Sequence, residues 1–188
     1  MGLPSGRTMC VAAAAAAVVA AAVPAAAASA SPVPATGAWT ATLVPGTRAD
    51  FIDTTTAQEI SCGRSTATST ADGAVGTVTW GECVGALAST AEIEQAGPMT
   101  FHPASSSGGV ISGSISGFKV RFSMETLLGI CTGSITGTIS NVVFNTTTNE
   151  ATVNGGAGLV VSSADNCAGI LNAGDPVQYS AAYGVEFA

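Results

Sequence analysis

The segment SCGRSTATSTADGAVGTVTWGEC, from Ser61 to Cys83, is the stretch that decides the fold of this chain. Asp72-Gly73 separates two runs rich in Thr and Val. This dipeptide is typical of a two-residue hairpin turn, because both residues tolerate positive φ angles. In that hairpin all facing residue pairs share one sum of residue numbers, and Cys62 and Cys83 have the same sum as Asp72 and Gly73. The segment therefore predicts two antiparallel strands bridged by a Cys62–Cys83 disulfide.

The other cysteine pair, Cys131 and Cys167, is centred on Asn149. The surrounding NTTTNEATV is the best turn signal between two strand-like runs in this half of the chain. A three-residue loop over Thr148–Glu150 would bring these runs into register. The GGAG stretch at Gly155–Gly158 is expected to bend or bulge one of the strands. The symmetry favours a Cys131–Cys167 disulfide over the other pairings open to four cysteines.

Apolar and polar residues alternate with a period of two in several other stretches. The clearest is FKVRFSME, whose predicted core-facing residues are Phe118, Val120, Phe122 and Met124. The stretches WTATLV and VQYSAAYGVEF show the same alternation, and we find no sustained helical periodicity after the first thirty residues. Short strands separated by Gly-rich turns predict an all-β fold, either an antiparallel β-sandwich or a small β-barrel with two disulfides.

Two related stretches, GSISG at Gly113–Gly117 and GSITG at Gly133–Gly137, resemble the nucleophile turn of serine hydrolases. That turn needs serine at its centre and lies between a strand and a helix. Here the central residues are Ile115 and Ile135, and no helix is predicted to follow. We interpret both stretches as neighbouring strands, with glycine where a strand bends or approaches another backbone.

The N-terminus has the three parts of a secretory signal peptide, which we assign to residues 1–30. A weakly basic start precedes the uncharged run Met9–Val23, and an A-x-A cleavage site follows. The run is too short to span a bilayer comfortably. Cys10 is expected to be removed with the signal. We expect residues 31–37 to form a flexible mature N-terminus and residues 38–188 to form a single all-β domain.

After this cleavage, four basic residues face twelve acidic ones, a net charge of −8. Such a surface repels phosphate backbones and anionic lipids, so we expect no nucleic-acid partner and no docking to anionic membranes. Because two disulfides and strands of ordinary hydrophobicity favour a soluble domain, we expect the protein not to be integral to the membrane after signal cleavage. The four remaining cysteines include no Cys-x-x-Cys pair, and the chain has one histidine, so we expect no metal site and no cofactor. An even number of cysteines in an exported chain indicates disulfides and an extracellular or envelope location.

Three sets of polar residues are candidate sites, and for each the structural interpretation is favoured. His102 could be a general base, but its surroundings predict a loop and mark no partner serine. Glu92 and Glu94 could act as paired carboxylates, although a solvated edge strand is the more ordinary interpretation. A third set near Cys167 could bind calcium through oxygen ligands but lacks a known spacing: Asp165, Asn166 and Asp175. We therefore predict no catalytic residue.

Aromatic residues are few, at six Phe, two Trp and two Tyr. Trp39, Trp80, Tyr179 and Tyr183 are candidates for lining a ligand pocket, while most aromatic side chains are expected to be needed by the core.

The signal peptide, Ser61-Cys62, the hairpin to Cys83, the Gly-rich strand at Cys131 and NCAGIL…GDPVQY around Cys167 together resemble a group of proteins. These are small exported proteins of high-GC Gram-positive bacteria, a group without an assigned activity. The resemblance implies a secreted β-rich protein and carries over no catalytic residue. A second resemblance is to the enediyne antibiotic apoproteins, which are acidic, exported β-sandwiches with two disulfides that hold an apolar chromophore. Their cysteines close shorter loops than those predicted here.

The expected function is that of a secreted, non-enzymatic structural or interaction module of the extracellular space or cell envelope. An envelope protein would then be its partner. The alternative is a carrier that binds a small apolar ligand in a pocket of the sandwich or barrel. A secreted hydrolase is disfavoured by the single histidine and by the serines that lie off the centre of both Gly-rich stretches.

Overall fold

The computed structural model describes residues 38–69, 74–85 and 89–188. This part of the chain is all-β, without a helix. The strands are β1 Trp39–Leu43, β2 Ala49–Asp53, β3 Glu59–Ser69, β4 Val75–Val84, β5 Thr90–Gln95, β6 Thr100–Ser107, β7 Val110–Thr126, β8 Gly129–Asn145, β9 Glu150–Asp165 and β10 Pro176–Phe187. The assigned signal peptide, residues 31–37 and the Asp72-Gly73 turn lie outside the described residues. Among the residues described, no helix has the length and apolar character needed to cross a membrane.

The strands form an antiparallel barrel of eight positions, which decides between the two architectures expected from the sequence. Its order is β10-β2-β3-β4-β5-β7-β8-β9, and pairing of β9 with β10 closes the ring. Closure satisfies the backbone groups that an open sheet leaves unpaired at its edges.

Two positions of the barrel are each shared by two short strands lying end to end. Strand β1 pairs with one half of β10 and β3, and β2 pairs with the other half of the same two strands. In the same way β5 and β6 pair with successive halves of β7. The long strands β7 to β10 therefore form a continuous wall, while the opposite wall is assembled from shorter pieces.

The first predicted hairpin is confirmed in the described strands. Cys62 faces Cys83 across β3 and β4 and is bonded to it, with the two Cα atoms 3.9 Å apart. The register implied by an Asp72-Gly73 turn holds from Cys62 to Ala67 and shifts by one residue before Ser69. The shift lies beyond the disulfide and therefore does not affect it.

The second disulfide, Cys131–Cys167, is confirmed, but the loop predicted for its hairpin was wrong. Strand β8 runs to Asn145 and β9 starts at Glu150, so the turn is Thr146–Asn149 and not Thr148–Glu150. Two register shifts follow, each placing one extra residue in β9. The first of them spans Gly155–Gly158, where a bend or bulge was expected. After both shifts Thr132 faces Asp165, so Cys167, just beyond the end of β9, lies within one position of facing Cys131 and is bonded to it.

Alternation along the strands separates the core from the solvent-exposed face. Along β7 the four residues predicted to face inward are at most 3 % exposed, while Lys119 and Arg121 between them are exposed. The two Gly-rich stretches lie on the neighbouring strands β7 and β8, as interpreted from the sequence. Gly137 has a φ of 145°, and a Cβ atom built on it would lie 1.8 Å from the Gly158 carbonyl oxygen. This is a close approach of two backbones that only glycine permits.

Candidate functional site: an apolar cavity at one end of the barrel

The two ends of the barrel differ in how they are filled. Cys131 lies at the start of β8 and Phe144 near its end, so the disulfides mark one end and the Thr146–Asn149 turn marks the other. The cysteine end is packed with buried side chains. The other end holds a partly open cavity of about 380 Å³. Its aromatic lining includes Trp39, Trp80, Phe101, Phe118, Phe144 and Phe187.

The cavity is apolar and uncharged. Aliphatic side chains of β3, β4 and β7 to β10 supply most of the remaining wall. No charged side chain is among the described residues that line it, and its non-aromatic polar lining is Thr146 and Asn149 in the turn at the mouth. The rings of Phe144 and Phe187 meet there edge to face, with centroids 5.8 Å apart. A volume of this size falls within the range of about 300–1,000 Å³ common for small-molecule sites.

Aromatic rings form the floor that separates this cavity from the packed half. Phe51 lies at the centre of the cluster, with ring centroids 4.6 Å from Tyr179, 5.9 Å from Trp80 and 6.3 Å from Phe118. The Trp80 and Phe118 rings meet edge to face at 6.4 Å. Such tilted and edge-to-face contacts are favourable arrangements of aromatic quadrupoles, so the floor is expected to be rigid.

A chain of polar groups runs through this floor. The Tyr179 and Tyr183 hydroxyl oxygens are 2.6 Å apart, and the Tyr183 oxygen is 2.9 Å from Ser65 Oγ. The Trp80 indole N–H donates to the Tyr179 oxygen at 3.3 Å, and Ser65 donates to the Thr79 carbonyl oxygen at 3.0 Å. Both tyrosines are side chains of β10 and also line the cavity. Buried polar groups are tolerated here because each finds a partner.

Both phenols are held neutral. Burial raises the pKa of Tyr179 well above its usual range, and the neighbouring Tyr183 raises it further, while the Trp80 hydrogen bond opposes the shift. Burial also raises the pKa of Tyr183, partly offset by its bonds to Ser65 and Tyr179. The floor therefore carries no charge at neutral pH.

These pKa shifts predict a loss of stability in alkali. Because the folded-state pKa values are raised, the unfolded chain releases the phenol protons first. The free energy of unfolding should thus be unaffected below about pH 10 and fall above it, by about 1.4 kcal/mol per pH unit for each phenol. The chain has only two tyrosines, so urea unfolding of Tyr179→Phe/Tyr183→Phe provides the control. Equal alkaline slopes in both proteins would contradict the prediction.

The histidine candidate lies away from the cavity. His102 is in β6, paired with β7, so its assignment to a loop was wrong. Its Nε2 atom lies 2.7 Å from Ser116 Oγ, a partner that the sequence did not mark. The pair is exposed and neither residue lines the cavity.

The two glutamates also lie outside the cavity. Glu92 and Glu94 are exposed on β5, which pairs with β4 on one side and β7 on the other. The interpretation of this segment as an edge strand was therefore wrong. Both carboxylates line a polar groove on the outer wall together with Arg121 and Asp165.

Two of the three candidate calcium ligands make local hydrogen bonds. Asn166 donates through Nδ2 to the Ile130 carbonyl oxygen at 3.2 Å. Asp175 accepts from the backbone N–H and the side-chain amide of Asn172, at 3.1 and 2.9 Å. Across the ranges that the structure describes, no group of three or more His, Cys, Asp or Glu residues could hold a metal ion.

The four aromatic residues named from the sequence lie in one cavity lining: Trp39, Trp80, Tyr179 and Tyr183. Sequence reasoning missed Phe101, Phe144 and Ser65. Tyr179 and Tyr183 are four residues apart on one strand, a spacing that places both on the same face and could have indicated their contact. Ser65 had no such signal, because it is 118 residues from Tyr183. Comparison of this chain with protein-family models, curated proteins and solved structures finds no match.

Proposed function

We propose that this protein is a non-enzymatic carrier that holds a small, uncharged, apolar molecule in the open end of its barrel. The observation that supports this proposal is the cavity of about 380 Å³, lined by aromatic and aliphatic side chains and partly open at the mouth. Its apolar wall would otherwise contact water, which is unfavourable by roughly 25 cal/mol per Å². A ligand of matching polarity relieves this contact.

A charged ligand is disfavoured by the same lining. Moving an isolated charge from water into an apolar site is costly unless an opposite charge meets it. The basic side chains of the described residues, which are Arg48, Arg64, Lys119 and Arg121, are all absent from the lining. The cargo is accordingly a neutral molecule.

The two disulfides indicate an oxidising environment. We propose secretion through the N-terminal signal, so that the carrier acts in the extracellular space or at the cell envelope. Its ligand would there be a compound of low water solubility, which a barrel can shield from water.

Native mass spectrometry of protein purified from culture supernatant, without refolding, tests the carrier directly. We expect a bound mass that leaves on denaturation and a polypeptide mass equal to residues 31–188 with both disulfides formed. A ligand-free mass would instead support the interaction module expected from the sequence. The exposed tip of the β7–β8 hairpin favours that second candidate, since Leu127 and Leu128 are 91 % and 71 % exposed.

Ala151→Trp is expected to block the cavity. Ala151 lines it from β9, facing Phe144 on one neighbouring strand and Tyr183 on the other. An indole there would displace about one ring of ligand, which corresponds to about 1.5–3 kcal/mol of apolar contact. Affinity for the neutral fluorescent probe N-phenylnaphthylamine should fall roughly 10- to 100-fold.

Thr152→Trp is the matched control, because the neighbouring Thr152 is exposed on the same strand. The control variant should bind the probe as the unmodified protein does. Equal binding by both tryptophan variants would place the probe elsewhere and count against the carrier.

A further inference from the structure

The direction of the hydrogen bonds in the cavity floor follows from counting protons. Ser65 has one hydroxyl proton and donates it to the Thr79 carbonyl oxygen, which can only accept. Tyr183 must therefore donate to Ser65, and Tyr179 must donate to Tyr183. The Trp80 indole N–H completes the chain by donating to the Tyr179 oxygen. Only one arrangement of the protons satisfies all four contacts.

This arrangement leaves the floor with acceptors but no free donor. Both phenol protons and the Trp80 indole proton are used within the chain, whereas the phenol oxygens keep unused acceptor capacity. The remaining polar side chains of the lining lie at the mouth. Trp39 is the first residue of β1, and Thr146 and Asn149 lie in the β8–β9 turn. Thr146 already donates to the Gly109 carbonyl oxygen at 2.9 Å.

We propose that the cavity selects neutral apolar molecules whose polar group is a hydrogen-bond donor, such as a phenol or an alcohol, with the Tyr179 and Tyr183 oxygens accepting that bond. This inference rests on the proposed carrier function and specifies its ligand class. Ser65 determines that the tyrosine oxygens face a ligand as acceptors and not as donors, because it fixes the direction of the tyrosine protons. Ser65 itself is not part of the cavity lining.

Two other ligand classes do not match the hydrogen-bonding groups and charge of this site. A carbonyl group at the floor would place an acceptor against acceptors with no proton between them, which leaves a buried polar group unsatisfied. A carboxylate would add an unpaired charge to a lining that holds no cation among the described residues.

The test is isothermal titration calorimetry of the full chain with four naphthalenes substituted at the same position: naphthol, methylnaphthalene, naphthaldehyde and naphthoate. Naphthol should bind about three- to tenfold more tightly than methylnaphthalene and at least about tenfold more tightly than naphthaldehyde. Naphthoate should bind most weakly. Equal binding of the first three would overturn the donor rule while leaving the carrier in place. No binding by any of them would overturn the carrier as well.

Ser65→Ala isolates the cause, because it removes the hydroxyl group that accepts the Tyr183 proton without altering the cavity wall. One phenol proton then has no partner and becomes available to a ligand acceptor. The ratio of naphthol to naphthaldehyde affinity should fall at least about tenfold. Thr66→Ala is the control, since Thr66 is exposed and bonded to Thr79 Oγ1 outside the chain. The control ratio should stay unchanged.

An unchanged ratio in folded Ser65→Ala would overturn the inference. Circular dichroism shows whether this variant is folded. If it is not, Tyr183→Phe replaces it, because loss of the Tyr183 oxygen frees the Tyr179 proton. The same fall in the ratio is then expected, and its absence would be equally decisive.

Discussion

Replacing Gly137 with alanine is expected to lower the free energy of unfolding by at least about 3 kcal/mol. Two effects combine at this position. The φ of 145° is one that side chains rarely adopt, and the new Cβ atom would lie 1.8 Å from the Gly158 carbonyl oxygen. The contact is with backbone and cannot be relieved by a side-chain rotation. Strands β8 and β9 would have to separate at the bulge.

Substitutions at two other glycines separate the contribution of backbone strain from that of the steric contact. Gly46 has a φ of 84° and nothing within 4 Å of a built Cβ atom, so Gly46→Ala measures backbone strain alone, about 1–2 kcal/mol. Gly81 has an ordinary φ and its nearest neighbour lies at 3.8 Å, so Gly81→Ala should change stability by less than about 0.5 kcal/mol. Urea unfolding of the three variants provides the comparison. A loss for Gly137→Ala no larger than that for Gly46→Ala would show that the strands can move apart.

Removing the Cys131–Cys167 disulfide is expected to have the other large effect. The Cys131→Ala/Cys167→Ala variant opens a loop with a sequence separation of 36, which corresponds to about 4 kcal/mol of lost constraint on the unfolded chain. Cys167 also lies beyond the end of β9, so this bond ties the β9–β10 connection to the barrel. Urea unfolding should show a lower midpoint, and amide exchange should increase in residues 166–175.

The Cys62→Ala/Cys83→Ala variant is the matched control for removal of the Cys131–Cys167 disulfide. Its loop is shorter, with a separation of 21, and is expected to contribute about 3 kcal/mol. Its two residues are already paired within β3 and β4, so amide exchange should change less around them. A loss below about 1 kcal/mol for Cys131→Ala/Cys167→Ala would contradict the prediction.

The buried faces of individual strands and the pairing across single turns could be predicted from the sequence. Alternation in Phe118–Glu125 identified the buried face of β7, and Asp72-Gly73 implied the register that pairs Cys62 with Cys83. These features depend on neighbours along one strand or across one turn, which is the range over which side-chain period and turn chemistry act. The Cys131–Cys167 pair was predicted correctly with the wrong turn, because two extra residues in β9 offset most of the difference in register.

Contacts between strands that are distant in the chain could not be predicted in this way. His102 and Glu92 were assigned to a loop and an edge because no local signal shows that β6 and β5 share the flank of β7. The sequence left sandwich and barrel open as well, since both bury alternate residues of antiparallel strands.

The sequence by itself determined that this protein is an all-β chain held by two specific disulfides, because strand period and cysteine placement are local properties. Only the tertiary structure decided that the strands close into a barrel, that one end is packed and the other left open, and that Ser65 meets Tyr183 across 118 residues. The shape of the cavity and the direction of the hydrogen bonds in its floor arise from closure of the barrel. Closure brings together side chains that are far apart in the sequence and have no regular spacing.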